Sequence, residues 1–166
     1  MINIFFDTEF TELEEERARL ISIGLVDESG DHRFYAELTD TWQIAHCSKF
    51  VISNVLPLLD GGPSRMSIVD LRNSLKAWIE ALGDEARLIS DEPSWDWPFI
   101  GTIFPDSDAW PQNLAKKPAD LGLDKIQFAH FKDAVKQAFK LGLRQHHAGD
   151  DAEAMRQGWI SATIHC

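Results

Sequence analysis

The first ten residues constrain this chain most strongly. Residues 4–10 read Ile-Phe-Phe-Asp-Thr-Glu-Phe, a short apolar run that two acids interrupt. Such a run predicts a buried strand, and side chains alternate between the faces of a strand, so Asp7 and Glu9 point the same way. Two carboxylates at the end of a buried strand repel each other and are costly to bury without partners. A hard cation with oxygen ligands, Mg²⁺ or Mn²⁺, would offset the repulsion. The alternative is a strand end at which both acids are solvated.

Length and composition fit a single globular domain over residues 1–166. The chain is 44% hydrophobic and 26% charged, which is ordinary for a protein with a sizeable core. No apolar run approaches the ~18 residues that span a bilayer, and we expect no signal peptide because a basic N-terminal region is missing. Cys47 and Cys166 lack metal-site spacing. We therefore expect two free thiols and a cytoplasmic protein with no membrane partner.

Net charge is the main argument against nucleic acid as a partner. The formal net charge is −11, whereas phosphate binding usually needs a basic surface. The charge is unevenly distributed, however. Residues 112–147 carry seven Lys and Arg against three Asp, so that segment is +4 while the remainder is −15.

Periodicity, capping residues and turn residues predict the order of the elements. Predicted strands cover residues 4–10, 19–26, 32–38 and 86–90. Predicted helices cover residues 49–54, 67–82, 95–104, 124–141 and 151–163, with Pro98 in the first turn of the third helix. Residues 145–150 are expected to form a loop. This order, in which three strands come first and a fourth strand lies between helices, predicts an α/β fold with a mixed β-sheet flanked by α-helices.

Two further acids and a histidine stand at the ends of predicted elements. Asp96 lies at the start of a helix that follows a buried strand, and His146 lies five residues before Asp151, where a loop enters the last helix. Taken singly, Asp96 and Asp151 are typical of helix ends, where an acid caps the helix or compensates its dipole. A single histidine is more often exposed or satisfied by its surroundings than catalytic.

Together these pieces resemble the DEDD-type 3′–5′ exonucleases, in the subgroup with a histidine (DEDDh). The shared pattern is Asp-x-Glu on the first strand, Asp after a middle strand, and His-x-x-x-x-Asp entering the last helix, and it covers nearly the whole chain from Asp7 to Asp151. Four segments are more particularly similar to a small bacterial polyadenylate-specific exoribonuclease group: residues 7–10, 19–24, 54–57 and 146–152. The resemblance implies a ribonuclease-H-like fold, release of 5′-mononucleotides from the 3′ end of single-stranded RNA, and a homodimer.

The resemblance also implies roles for individual residues. The carboxylates of a two-Mg²⁺ site, in which Mn²⁺ can substitute, would be Asp7, Glu9, Asp96 and Asp151. His146 would be the general base, because a neutral imidazole can accept the proton of the attacking water near pH 7. His147 and Asp150 fall outside the pattern and are assigned local structural roles. Gly149 departs from the pattern, since a larger apolar residue is usual there.

Substrate-binding residues follow from helix periodicity and aromatic content. On a helical wheel, a lysine ridge lies beside an apolar stripe formed by Phe128, Phe131, Val135 and Phe139. The ridge consists of Lys125, Lys132, Lys136 and Lys140. Lys132 and Lys136 could follow the phosphates of a substrate, and an ordinary solvated face is the alternative. Three aromatic residues could stack on terminal bases or instead pack in the core: Phe10, Trp95 and Trp97.

Three alternatives to an exoribonuclease stay open at this point. The same chemistry could act on DNA as a 3′–5′ exodeoxyribonuclease, since only contacts to the 2′-hydroxyl distinguish the two substrates. A non-catalytic domain of the same fold could bind nucleic acid or a protein. An unrelated acidic α/β protein could carry the motif by chance.

Overall fold

The protein is an α/β domain with a mixed five-stranded sheet. The computed structural model describes residues 1–14 and 16–164. The strands are β1 (Ile2–Phe10), β2 (Leu20–Asp27), β3 (Arg33–Leu38), β4 (Arg65–Met66) and β5 (Ala86–Ile89). The helices are α1 (Lys49–Asn54), α2 (Ile68–Ala81), α3 (Pro93–Ile103), α4 (Lys125–Lys140) and α5 (Ala148–Ile164). Short 3₁₀ turns cover Ile44–His46, Leu56–Leu58 and Gly62–Ser64.

The sheet has the order β4-β3-β2-β1-β5, with β1 near its centre. β1, β2 and β3 form antiparallel pairs, whereas β5 runs parallel to β1 and β4 runs parallel to β3. The last β1–β5 pair joins Phe5 to Ile89. Because the carboxyl ends of parallel strands meet at one edge of a sheet, Asp7 and the residues that follow β5 lie at the same edge.

The alternation of side chains along β1 divides the core into two layers. Ile4 and Phe6 are fully buried in the cluster that includes residues of α2 and α3. Phe5 is buried on the opposite face, in a cluster with Phe131 of α4 and Met155 of α5. Asp7 and Glu9 share the parity of Phe5, so they point toward the α4 and α5 side of the sheet. The two central strands therefore read as apolar runs because both of their faces are covered.

Most predicted elements are confirmed, and the differences lie at element ends. The Ser67 cap of α2 is present, since the Ser67 side chain accepts a hydrogen bond from the Asp70 amide at 3.1 Å. α3 begins at Pro93, so the expectation that Pro98 lies in its first turn is wrong; Pro93 takes the first helical position instead. α5 begins at Ala148 and so includes three residues that were predicted to belong to the loop.

Two expectations from composition can be compared with the structure. Cys47 is a free cysteine, and Cys166 lies outside the described residues. Within residues 1–14 and 16–164, none of the helices combines the length and the apolar character needed to cross a membrane.

Candidate active site

Three of the predicted carboxylates converge at the edge of the sheet. Asp7 and Glu9 come from β1, and Asp151 comes from the first turn of α5, which packs on that face of the sheet. One oxygen from each of the three lies within 4.8 Å of the others. The three side chains line a cavity of about 340 Å³, here named the acid cavity, together with His146, Asp91 and residues of α4. No Lys or Arg is among the described residues that line it.

The carboxylates of the acid cavity repel one another. Burial, followed by the charges of Asp151 and Asp96, raises the pKa of Glu9 to about 8. Burial likewise raises the pKa of Asp151 to about 7 and that of Asp7 well above its ordinary range. Protonation relieves this repulsion, and a divalent cation held by the carboxylates would relieve it by displacing their protons.

Asp96 lies beside the acid cavity but does not line it. It is buried in α3, and its two carboxylate oxygens accept hydrogen bonds from different partners. The Thr8 hydroxyl and amide donate to one oxygen at 2.5 and 3.2 Å, and the Ser90 hydroxyl donates to the other. Burial raises the pKa of Asp96 to about 6. The charge of Asp96 also raises the pKa of Asp7.

Asp91 lines the acid cavity although its sequence position did not single it out. It lies two residues after the end of β5, at the edge where the parallel strand β1 also carries its acids. Although the residue is exposed, desolvation of its carboxylate raises the pKa of Asp91, and its charge contributes to the raised pKa of Asp151. In the sequence, Asp91 is recognisable only by its position immediately after a predicted strand. Asp96, five residues later, was selected instead because it matched the exonuclease pattern.

His146 and His147 lie in different environments, and only His146 lines the acid cavity. His146 has a positive φ of 69°, and its ring meets the Phe50 ring edge-on at 5.0 Å. Burial lowers the pKa of the His146 imidazole below its ordinary 6.5, so the ring is neutral at pH 7. His147 is buried behind the cavity, where its ring stacks on Tyr35 with 4.4 Å between centroids.

Two glycines bring the start of α5 against the sheet. A Cβ on Gly24 of β2 would overlap the backbone of Ala148 and Gly149, so only glycine allows this close approach. A Cβ on Gly149 would lie 3.2 Å from His147 Cε1 and 3.3 Å from Tyr35 Cδ2. The small residue at position 149 therefore leaves room for the stack of His147 on Tyr35.

An apolar groove of about 640 Å³ adjoins the acid cavity, and Glu9 lines both. Phe10, Leu13 and Phe50 are among its lining residues, and Leu13 and Phe50 are exposed by 70% and 54%. Phe10 also stacks on Trp95, with 6.2 Å between ring centroids. Leu13 is recognisable in the sequence as an apolar residue within a run of acids, whereas Phe50 looks like an ordinary helix residue.

The remaining substrate-binding candidates are separated from one another. Trp97 packs on Trp110, with 6.1 Å between ring centroids, and belongs to the core beneath α2 and α3. Lys132 and Lys136 are exposed on α4, the helix that contributes Val135 and Phe139 to the acid cavity. Lys132 Nζ lies 5.0 Å from the centroid of the Phe128 ring. The two lysines thus lie on a helix that lines the cavity without lining it themselves, whereas Trp97 belongs to the core.

No protein-family model and no curated protein matches this chain. The chemistry available to the site therefore follows from its own side chains. A cluster of three carboxylates with only oxygen donors suits Mg²⁺ or Mn²⁺ better than zinc, which prefers nitrogen and sulfur. A neutral imidazole in the same cavity can accept a proton. Acids that hold a hard cation beside a general base are suited to the hydrolysis of phosphate esters.

Proposed function

We propose that this protein is a metal-dependent 3′–5′ exoribonuclease of the DEDDh type with a ribonuclease-H-like fold. It would hydrolyse single-stranded RNA from the 3′ end to 5′-mononucleotides. The observation that carries the proposal is the convergence of Asp7, Glu9 and Asp151 within 4.8 Å, in a cavity that His146 shares. The four side chains come from the two ends of the chain, and their meeting at one edge of the sheet agrees with the DEDDh pattern.

The sheet supports the fold assignment. An antiparallel meander of β1, β2 and β3 is extended on the other side of β1 by the parallel strand β5. Asp7 and Glu9 lie on β1, the strand between the antiparallel and the parallel part of the sheet. A mixed sheet of this kind, flanked by helices, is compatible with a ribonuclease-H-like domain.

The residues of the acid cavity fit divalent cations. Asp7, Glu9 and Asp151 would hold them, with Asp96 as the fourth carboxylate. Thr8 donates two hydrogen bonds to one Asp96 oxygen and so uses both of its lone pairs, whereas the oxygen that accepts from Ser90 keeps a second lone pair. These bonds orient Asp96 and leave that second oxygen able to bind a cation. When bound, Mg²⁺ or Mn²⁺ would supply activation of water and neutralisation of the charge that develops on the phosphate.

The side chains around the acids have separate tasks in this proposal. His146 accepts the proton of the attacking water, since its imidazole is neutral at pH 7. Phe10, Leu13 and Phe50 offer apolar surface to the terminal bases beside Glu9, as aromatic residues do in proteins that bind single strands. Lys132 and Lys136 contact the backbone phosphates upstream and offset part of the net charge of −11.

Digestion of 5′-end-labelled oligonucleotides tests the proposal. Single- and double-stranded RNA and DNA of one sequence are incubated with the protein in Mg²⁺, in Mn²⁺ and in excess EDTA, with Asp7→Asn as the matched control. We expect a ladder that shortens by single nucleotides from the 3′ end of single-stranded RNA, only with metal and only with the wild-type protein. Faster digestion of DNA would favour the exodeoxyribonuclease. Binding of RNA without digestion would favour a non-catalytic domain, and full activity in EDTA would rule out the metal-dependent mechanism.

A further inference from the structure

The backbone of His146 is held in an unfavourable conformation. Its φ of 69° makes it the one residue other than glycine, among those described, in the left-handed region. L-residues rarely adopt that region, so such a backbone persists only where its surroundings fix it. His146 lies in the short connection between α4 and α5. The contacts that fix this connection therefore decide where the imidazole points.

Arg144 closes the connection around His146. Its backbone amide and its Nε both donate to Asp150 Oδ2, at 2.8 and 2.7 Å. A residue two positions before His146 is thereby tied to one four positions after it. Two bonds from one residue to a single carboxylate restrain position and direction together.

Arg144 also reaches a different part of the chain. Its guanidinium donates to Asp60 Oδ1 at 2.6 Å and to the Leu58 carbonyl at 3.2 Å. Asp60 lies between two 3₁₀ turns, and this segment is itself fixed to the sheet. The neighbouring Gly61 amide donates to both carboxylate oxygens of the buried Glu37 on β3, at 3.0 and 3.1 Å.

His147 joins the same group from the other side. The Asp150 amide donates to His147 Nδ1 at 3.2 Å, and His147 Nε2 lies 3.5 Å from Asp60 Oδ2. The ring stacks on Tyr35 of β3, whose hydroxyl donates to Glu37. The residues on both sides of His146 thus depend on Asp60 and on β3. None of Asp60, Arg144 and His147 lines the acid cavity.

We infer that Asp60, Arg144, Asp150 and His147 form a brace that positions His146 for proton transfer. The inference rests on the proposed function, in which His146 is the general base. The members of the brace are positioning residues, because they act through His146 and would not contact a substrate or a cation bound in the acid cavity. Asp60 is the distinctive member, since it comes from a segment remote in sequence from every residue of the site.

A double-mutant cycle on turnover tests the brace. Asp60→Asn and Arg144→Gln are each made in the wild-type protein and in His146→Ala, and kcat, KM and Mn²⁺ affinity are measured. We expect each single variant to lower kcat by roughly 10–100-fold, since a misplaced base costs rate even where no substrate contact is lost. KM and Mn²⁺ affinity should change less than about threefold. In the His146→Ala background, neither variant should lower kcat further.

Arg33→Gln is the matched control. Arg33 forms an ion pair of 3.0 Å with Glu153 of α5, so this change also removes an arginine–acid contact from α5, but on a side away from His146. Its kcat should equal that of the wild type. Equal losses of kcat with and without His146, or no loss in either brace variant, would overturn the inference. If Arg144→Gln does not fold, Asp60→Asn carries the test, because the Asp60 side chain is 43% exposed and its loss leaves the Arg144–Asp150 bonds in place.

Amide hydrogen exchange separates this inference from the proposed function. Exchange in residues 143–147 is measured without substrate, so the result does not depend on catalysis. We expect at least tenfold faster exchange there in Asp60→Asn and Arg144→Gln than in the wild type and in Arg33→Gln. If the wild-type protein digests no nucleic acid but the variants show this exchange pattern, the exonuclease proposal is refuted and the brace is supported. If the enzyme is active but exchange is unchanged in the variants, the brace alone is refuted.

Discussion

Glu9→Gln should stabilise the protein when no metal is present. The substitution removes the charge of Glu9 but breaks no hydrogen bond, since none to its carboxylate is found within residues 1–14 and 16–164. Its pKa is raised from an ordinary 4.5 to about 8 by burial and by the charges of Asp151 and Asp96. The folded state therefore holds the Glu9 proton more tightly than the unfolded chain does. The resulting loss of stability is absent below pH 4.5, grows between pH 4.5 and about 8, and is complete above that pH.

The size of the effect follows from the pKa. A pKa raised this far corresponds to at most about 5 kcal/mol once Glu9 is ionised, at ~1.4 kcal/mol for each tenfold change. Glu9 is only half-buried and shares its protons with neighbours, so we expect about 1–3 kcal/mol at pH 8. For a domain of 166 residues this is a rise in Tm of roughly 2–10 °C. At pH 5 the difference between the two proteins should nearly vanish.

Thermal unfolding followed by circular dichroism at pH 5, 6.5 and 8, in EDTA and in Mn²⁺, is the assay. Mn²⁺ should reverse the order at pH 8, because a cation at ~1,000 times its Kd adds about 4.1 kcal/mol to the protein that binds it. Glu85→Gln is the control; this exposed acid precedes β5 and should change stability by less than about 0.5 kcal/mol. A Glu9→Gln protein that is less stable than the wild type in EDTA at pH 8, or whose advantage does not shrink at pH 5, would refute the reasoning.

Three further predictions concern catalysis, substrate binding and assembly. His146→Ala should lower kcat by roughly 10²–10⁴-fold with Mn²⁺ affinity kept, and His147→Ala should lower it less. Because burial lowers the pKa of His146, the wild-type rate should fall only on the acid side of the ordinary imidazole range, and gel assays should find this acid limb flattened in His146→Ala. The double variant with Lys132→Glu and Lys136→Glu should show a smaller slope of log affinity against log salt concentration, by roughly 0.7 per lost phosphate contact. Fluorescence anisotropy with labelled RNA measures this slope. An unchanged slope would mean that the lysine ridge is an ordinary solvated face. Light scattering should give twice the 18.8 kDa monomer mass, and a fully active monomer would contradict the proposed homodimer.

The sequence was informative where a local rule decides the structure. Alternation along β1 was enough to put Asp7 and Glu9 on one face, because both faces of a central strand are covered and its register cannot slip. Ser67 marked the start of α2, since its side chain satisfies an amide of the first turn of that helix. These contacts lie within a few residues of each other.

The parts that could not be predicted depend on contacts between distant segments. α5 starts at Ala148 because Gly24, on a strand more than a hundred residues earlier, admits the helix backbone. Asp96 is turned toward Thr8 and Ser90, and periodicity on α3 carries no information about either partner. The place of Phe50 beside His146 likewise follows from how α1 packs, which no local pattern encodes.

Hydrolysis in H₂¹⁸O tests the central claim most directly. A single-stranded RNA oligonucleotide with a free 3′-hydroxyl is digested in Mg²⁺, and the released products are identified by mass spectrometry. If the acids hold divalent cations and His146 accepts a proton from the attacking water, each product is a 5′-mononucleotide with one ¹⁸O in its phosphate. The same reaction with Asp7→Asn should release nothing. Products that carry a 3′-phosphate or a 2′,3′-cyclic phosphate would contradict the account, because the bond to the 3′-oxygen would then not be the one that breaks.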